Sequence, residues 1–133
     1  MAVELNQIEE RRIVFMVGIE AVTVPTGSKP VYVVEIQQPR LTDESRLDEI
    51  RGQILAIDKD ATGVDILIDL SPVEFLSSAA LGMLGMIHRK TWAAKGRLKL
   101  CGIRPEVLQV FQVTKLDSLF DIHDDRRQGL ASF

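Results

Sequence analysis

The chain has 133 residues, a net charge of −3, 46% apolar and 26% charged residues, and one cysteine. This length fits one domain that can bury a core without disulfides or metal ions. Its acidic balance gives no basic footprint for nucleic acid or for an anionic membrane surface. The N-terminus lacks a signal-peptide pattern, and no apolar run is long enough to span a bilayer. We therefore expect a cytoplasmic domain without membrane insertion and without direct nucleic-acid binding.

The first part of the chain predicts a β-hairpin followed by a helix. Apolar runs at residues 14–24 and 31–36 flank a Pro-, Gly- and Ser-containing turn at residues 25–30, which is typical of antiparallel strands. Thr42 or Asp43 can cap the helix that follows. The apolar residues of that helix recur at helical spacing: Leu47, Ile50, Ile54 and Ile57.

Strands and helices then alternate to the end of the predicted fold. In chain order these are a strand at 64–70, a helix from Ser77 or Ser78 to Lys95 that Gly96 stops, a strand at 97–101, a helix opened by Pro105, and a strand at 119–122. This alternation predicts a single α/β domain with a mostly parallel sheet, an antiparallel N-terminal hairpin at its edge, and helices packed against it.

The predicted division of the chain has three parts. Residues 1–13 form an N-terminal extension, residues 14–125 form the domain, and residues 126–133 form a polar tail that we expect to fray. Apolar residues of the central strands and helices should form the core: Ile66, Ile68, Leu70, Leu84, Ile87, Leu98, Leu100 and Phe111.

The sequence carries no strong signature of catalysis, of a cofactor or of a metal site. No phosphate-binding glycine loop occurs, and His88 and His123 are not at metal-ligand spacing from Cys101, which we expect to be a buried thiol. Ser78, His88 and Asp69 could be drawn as a catalytic triad, but no nucleophile elbow accompanies them. We therefore expect a binding protein with no catalytic residues, cofactor or metal.

Ser77 and Ser78 stand where a loop turns into the second predicted helix. One of them can act as the N-cap. A helix N-terminus also tolerates a phosphate, which would add nearly two negative charges to a docking surface. The helix has two stripes, and one must face the sheet while the other is a candidate docking face, although core packing on both flanks would give the same pattern. The candidate partner-binding residues are Ser77, Ser78, Ala79, Met83, Met86 and Lys90; the other stripe contains Ala80, Leu84, Ile87 and Ala94.

An ordered series of segments resembles STAS domains, the anti-sigma-factor antagonists of bacteria, over about residues 31–125. The similar segments are residues 66–71, 73–75, 77–82, 96–101, 110–111 and 114–122. This resemblance implies a protein that binds a switch kinase, which also acts as an anti-sigma factor, and thereby releases the sigma factor. It also implies that the kinase phosphorylates a serine at the start of the second helix and that a PP2C-type phosphatase removes the phosphate.

The family pattern at the phosphorylated serine is Asp-Ser-Ser-Gly-Leu. Here Ser77 stands at the Asp position, Ser78 at the phosphorylated serine, Ala79 at the second serine and Ala80 at the glycine. The resemblance therefore implies phosphorylation of Ser78, with Ser77 as the alternate. These departures also motivate a second hypothesis, a non-phosphorylated STAS scaffold in a larger complex, for example one associated with a transporter. A small enzyme or nucleotide binder is motivated by the architecture alone, and the oligomeric state stays open.

Overall fold

The structure is a computed structural model that describes residues 17–24 and 29–133. The strands described there are β1 (Val17–Val22), β2 (Val31–Ile36), β3 (Arg40–Leu41), β4 (Asp65–Asp69), β5 (Phe75–Leu76), β6 (Arg97–Cys101) and β7 (Asp121–His123). The main sheet has the order β1-β2-β4-β6-β7. β1 pairs antiparallel with β2, and the other pairs in this sheet are parallel. The predicted mostly parallel sheet with an antiparallel edge hairpin is confirmed.

Three helices connect the parallel strands, and a fourth follows the last strand. They are α1 (Glu44–Leu55), α2 (Ser78–Ala93), α3 (Pro105–Val113) and α4 (Arg126–Ala131), with 3-10 turns at Ala56–Asp58 and Leu116–Ser118. Asp43 caps α1, because its Oδ1 accepts a hydrogen bond of 3.0 Å from the Ser45 N–H. Pro105 opens α3 as predicted. Within residues 17–24 and 29–133, none of the helices is both long and apolar enough to cross a membrane.

The sheet is packed on both faces. Side chains of α1, α2 and α3 bury one face together with Ile66 and Ile68 of β4. On the opposite face, Leu67 of β4 and Cys101 pack with partly buried residues of the C-terminal segment, Leu130 and Phe133. The alternation along β4 therefore serves two cores, one on each side. Every residue predicted for the core is at most 5% exposed: Ile66, Ile68, Leu70, Leu84, Ile87, Leu98, Leu100 and Phe111.

The expectation that residues 126–133 fray is wrong. Residues Arg126–Ala131 form α4, and buried Gly129 lies so close to the sheet that an added Cβ would be 2.7 Å from the Leu67 Cδ1. Arg126 Nη2 also donates a 2.9 Å hydrogen bond to Asp69 Oδ2. A polar sequence packs here because the strand beneath it presents a matching carboxylate and a leucine. The three-part division of the chain otherwise stays a prediction, since residues 1–13 lie outside the described residues.

The termination of α2 differs from the prediction in its cause. The helix ends at Ala93, and the left-handed conformation falls on Lys95, with φ of 67°. Gly96 instead permits close approach of two backbones, because an added Cβ would collide with the carbonyl oxygen of Val64. The final strand likewise begins at Asp121, later than predicted, because a 3-10 turn precedes it. The predicted turn at 25–30 and the first residues of the predicted strand at 14–24 fall largely outside the described residues.

Candidate partner-binding site

A two-stranded parallel sheet fixes the start of α2. β3 pairs with β5 so that Leu41 is opposite Leu76. The Ser77 N–H then donates a 3.0 Å hydrogen bond to the Leu41 carbonyl, immediately before the helix begins. Leu41 and Leu76 are both buried, so this small sheet is anchored in the core. The helix start is therefore held by backbone bonds and by apolar packing rather than carried on a loose loop.

The two serines at this position have different environments. Ser77 is the N-cap of α2, and its Oγ accepts a 3.2 Å hydrogen bond from the Ala80 N–H. Ser78 is the first residue of the helix and is exposed. Because the cap bond is made by Ser77, substitution or modification of the Ser78 hydroxyl need not disturb it. α2 has no acidic residue in its first turn, so the positive end of the helix dipole is not offset there.

A groove between α1 and α2 runs beside this helix start and encloses about 320 Å³. Its lining is Leu47, Ala79, Gly82, Met83 and Met86, with Glu44, Asp48 and Arg51 contributed by α1. The Arg51 guanidinium is held within the groove by an ion pair of 3.1 Å to Asp48 and by a 3.8 Å contact to the Met86 sulfur. The groove thus combines a methionine-containing apolar wall with a charged wall.

The structure brings only part of the predicted docking stripe together. Ala79 is exposed and Met86 is partly buried, and both line the groove. Met83 also lines the groove but is only 5% exposed, so it serves mainly as core. Lys90 is exposed but borders a different depression, beside Asp58. The other stripe faces the sheet: Ala80, Leu84 and Ile87 are buried, and Ala94 is partly buried. Assignment of the predicted residues to partner binding stays a prediction.

The two glycines inside α2 do not mark a close approach of another backbone. An added Cβ at Gly82 would meet nothing within 4 Å, and at Gly85 it would meet only the Arg89 guanidinium, at 3.8 Å. The helix surface at Ala79 and Gly82 is exposed, whereas Gly85 is buried.

Sequence reasoning missed three residues at this site. Phe75 is 48% exposed, and the Arg40 guanidinium lies 5.0 Å from the centre of its ring. Glu44 and Asp48 reach the groove from α1. The sequence shows a phenylalanine three residues before the helix start, but only the structure shows that it is exposed. Glu44 and Asp48 lie 34 and 30 positions before Ser78, so only the packing of α1 on α2 could reveal them.

Ser78, His88 and Asp69, which could be drawn as a catalytic triad, do not lie together in the structure. Asp69 faces α4, where it is paired with Arg126. His88 packs edge-on against Phe120, and burial lowers its pKa below the ordinary value. Ser78 lies ten residues before His88 on the same helix, a separation of about 15 Å. Among the residues that the structure describes, no group of three His, Cys, Asp or Glu side chains could hold a metal ion.

The mixed sheet with helices on both faces defines the chain as a small α/β domain. A model of the STAS domain matches residues 26–129. The chain therefore belongs to the STAS domain family.

Similarity to individual proteins agrees with this assignment. The chain is 28% identical over 94 residues to BtrV of Bordetella bronchiseptica, a protein assigned to the anti-sigma factor antagonists; the match covers 70% of this chain and 79% of BtrV. The fold is also that of an anti-sigma factor antagonist from Mycobacterium paratuberculosis, with a TM-score of 0.67, 22% identity, and coverage of 87% of this chain and 92% of that one.

Two further structures share the fold. The Bacillus cell fate determinant SpoIIAA in its phosphorylated form has a TM-score of 0.59 and 18% identity, over 86% of this chain and 98% of that one. The murine anion transporter Slc26a9 contains the same fold in 20% of its length, which covers 84% of this chain, with a TM-score of 0.59 and 12% identity.

Proposed function

We propose that this protein is a cytoplasmic anti-sigma factor antagonist that binds an anti-sigma factor with serine-kinase activity. The observation that carries the proposal is the separation of roles at the start of α2. Ser77 makes the capping bond, and Ser78 is exposed on the first helical residue. The docking surface consists of Ser78, Ala79, Gly82 and the adjoining groove with Met86, and we name it the Ser78 surface. The similarity of the chain to BtrV, which is assigned to the anti-sigma factor antagonists, supports the proposal.

Phosphorylation of Ser78 by the bound kinase is the proposed switch. A phosphate there gains from the N-terminal end of the helix dipole, so the fold tolerates it. It also places nearly two negative charges on an open apolar surface whose neighbouring wall already carries Glu44 and Asp48. Acidic groups of the partner would be repelled by this charge. Apolar groups of the partner that pack on the unmodified surface would have to displace the water that solvates the phosphate. A phosphatase of the PP2C type would restore the binding form.

Four variants test the switch against the cap. The unmodified protein should bind the cognate kinase and, with ATP, gain one phosphate on Ser78 by peptide mass spectrometry. Ser78→Ala should bind but take no phosphate, and Ser78→Asp should bind at least about tenfold more weakly. Ser77→Ala should lose about 1 kcal/mol of stability yet still be phosphorylated. Thr23→Ala, which removes an exposed hydroxyl beside the edge strand β1, is the control and should behave as the parent.

Phosphate on Ser77 alone, or equal kinase binding by Ser78→Asp and the parent, would exclude the proposed switch. Failure of the unmodified protein to bind any serine kinase of its own cells would exclude the antagonist function altogether.

The second candidate is a constitutive STAS scaffold in a larger complex. It is favoured by the replacement of the family Asp and Gly by Ser77 and Ala80, and by the presence of the same fold within the Slc26a9 transporter. In that case the protein from native cells would carry no phosphate under any growth condition. It would also purify with membrane transport components rather than with a kinase, and the two outcomes are distinguished by one affinity purification with mass analysis.

A further inference from the structure

A second feature of α2 lies at its opposite end and is not used by the proposed switch. Between Phe75 and Pro105 the sequence contains no Asp or Glu. The cations of this stretch are Arg89, Lys90, Lys95, Arg97, Lys99 and Arg104. In a chain with a net charge of −3, one continuous segment is therefore cationic.

Half of these cations are neutralised by tertiary contacts. Arg97 pairs with Asp65 at 2.7 Å, Lys99 with Asp121 at 3.3 Å, and Arg104 with Glu74 at 3.5 Å; each acidic partner comes from outside the segment. Within the part of the chain that the structure describes, Arg89, Lys90 and Lys95 form no ion pair. These three lie at the C-terminal end of α2. The helix dipole favours cations at this end, which explains their positive charge but not their lack of acidic partners.

Trp92, near the end of α2, is 74% exposed. It is the single tryptophan of the sequence. Arg89 precedes it by three residues and lies on the same side of the helix. Lys95 follows it by three residues. Lys90 is two residues before Trp92 and lies on the other side of the helix, beside Asp58. Tryptophan is strongly buried on average, and an exposed one beside arginine is the composition that dominates binding at protein interfaces. Packing of the domain itself does not use this side chain.

A shallow depression adjoins the indole and gives it a concave neighbour. It is lined by Trp92, Ala93, Lys95, Gly96 and Arg97. One wall is rigid, because Arg97 is held by Asp65 and also lies over the Phe133 ring, 5.1 Å from its centre. The depression therefore offers an apolar floor and a cationic rim on a fixed backbone.

We propose that Arg89, Trp92 and Lys95 form a second docking surface, the Trp92 surface, whose occupant is an acidic segment of a protein partner carrying an apolar side chain that packs on the indole. Charge complementarity selects an acidic partner. Two unpaired cations on a chain of net negative charge are too few to hold a nucleic-acid backbone. Trp92 lies fourteen residues, about 21 Å, from Ser78 along α2, so this surface is independent of Ser78 phosphorylation.

The single tryptophan makes the test specific, since its fluorescence reports on this surface alone. The probe is a peptide that alternates glutamate with leucine, titrated into the full chain at low salt. We expect a saturable blue shift that weakens as salt is raised. Arg89→Glu/Lys95→Glu, which keeps the tryptophan, should weaken binding at least about tenfold. Arg127→Glu reverses an exposed charge on α4, across the sheet, and should leave the affinity unchanged. Trp92→Ser should abolish binding of the labelled peptide measured by anisotropy.

Four outcomes would overturn the proposal. The first is the absence of a saturable fluorescence shift, and the second is an equal shift with the same peptide carrying lysine in place of glutamate. The third is a larger shift with oligothymidine or with phosphatidylserine vesicles. The fourth is a shift that depends on protein concentration without any peptide. The last two would assign the surface to nucleic acid, to a membrane, or to a second copy of the chain. All of these results are obtained without the kinase, so they do not depend on the fate of the Ser78 switch.

Discussion

Arg126 joins the C-terminal helix to the sheet by a buried ion pair, in addition to the apolar packing of that helix, and removing this arginine has a calculable cost. Arg126 donates to Asp69 Oδ2 from Nε at 3.2 Å and from Nη2 at 2.9 Å, and Nη2 also reaches Glu35 Oε2 at 3.0 Å. The Asp69 side chain is only 8% exposed. Its other oxygen accepts the Ser71 N–H at 3.0 Å. Arg126→Met keeps the unbranched apolar stem of the side chain but leaves this carboxylate without its cation.

The size of the effect follows from burial. Breaking a buried ion pair by removing one partner costs about 3–5 kcal/mol. The Arg126 side chain is 37% exposed and that of Glu35 is 34% exposed, so water can replace part of the lost solvation. We therefore expect a loss of about 2–3 kcal/mol. For a chain of 133 residues this corresponds to a fall in Tm of about 7–11 °C.

The assay is urea unfolding followed by circular dichroism, with Arg127→Met as the matched control on the exposed neighbour. The control should lie within about 0.5 kcal/mol of the parent. Asp69→Asn combined with Arg126→Met should cost less than the sum of the two single changes, by at least about 1 kcal/mol. If Arg126→Met is no more destabilising than Arg127→Met, or if the double variant is additive, the buried pair does not hold α4 on the sheet.

Three further predictions concern other parts of the domain. Gly63 has φ of 89°, and an added Cβ would lie 2.6 Å from the Ala94 carbonyl oxygen. Gly63→Ala should therefore destabilise the domain by about 1–3 kcal/mol in urea unfolding. Gly52→Ala, whose added Cβ would meet nothing within 4 Å, should stabilise it by up to about 1 kcal/mol because alanine favours the helix. Burial lowers the pKa of His88, so the unfolded chain binds that proton more tightly. Stability should fall as pH drops below about 6.5, and thermal unfolding of His88→Phe across this window should show a smaller slope. Burial raises the pKa of the Cys101 thiol to about 12; its reaction with a disulfide reagent at neutral pH should follow global unfolding, and rapid labelling of the native protein would contradict the packing described.

Local chemistry determined the elements on which the fold rests. Ile66, Ile68 and Leu70 recur at strand spacing, and Leu84 and Ile87 recur at helical spacing. All five are buried in the structure. A proline at 105 and serines at 77 and 78 mark helix starts for reasons internal to a few residues. Hydrophobic periodicity and capping act over short distances along the chain, so the sequence alone suffices to locate them.

Long-range packing determined the rest. The segment after position 125 is short, and its large apolar residues are Leu130 and Phe133. Asp125 caps its helix locally, but the place of that helix on the sheet depends on Asp69 and Leu67 of a distant strand, which contact Arg126 and Gly129. The charged wall beside Ser78 comes from α1, and the unpaired state of Arg89, Lys90 and Lys95 emerges only after the other cations of the segment find partners elsewhere. Such features depend on which elements meet in space. Only the tertiary structure decided them, because no residue within a few positions along the chain supplies the contact.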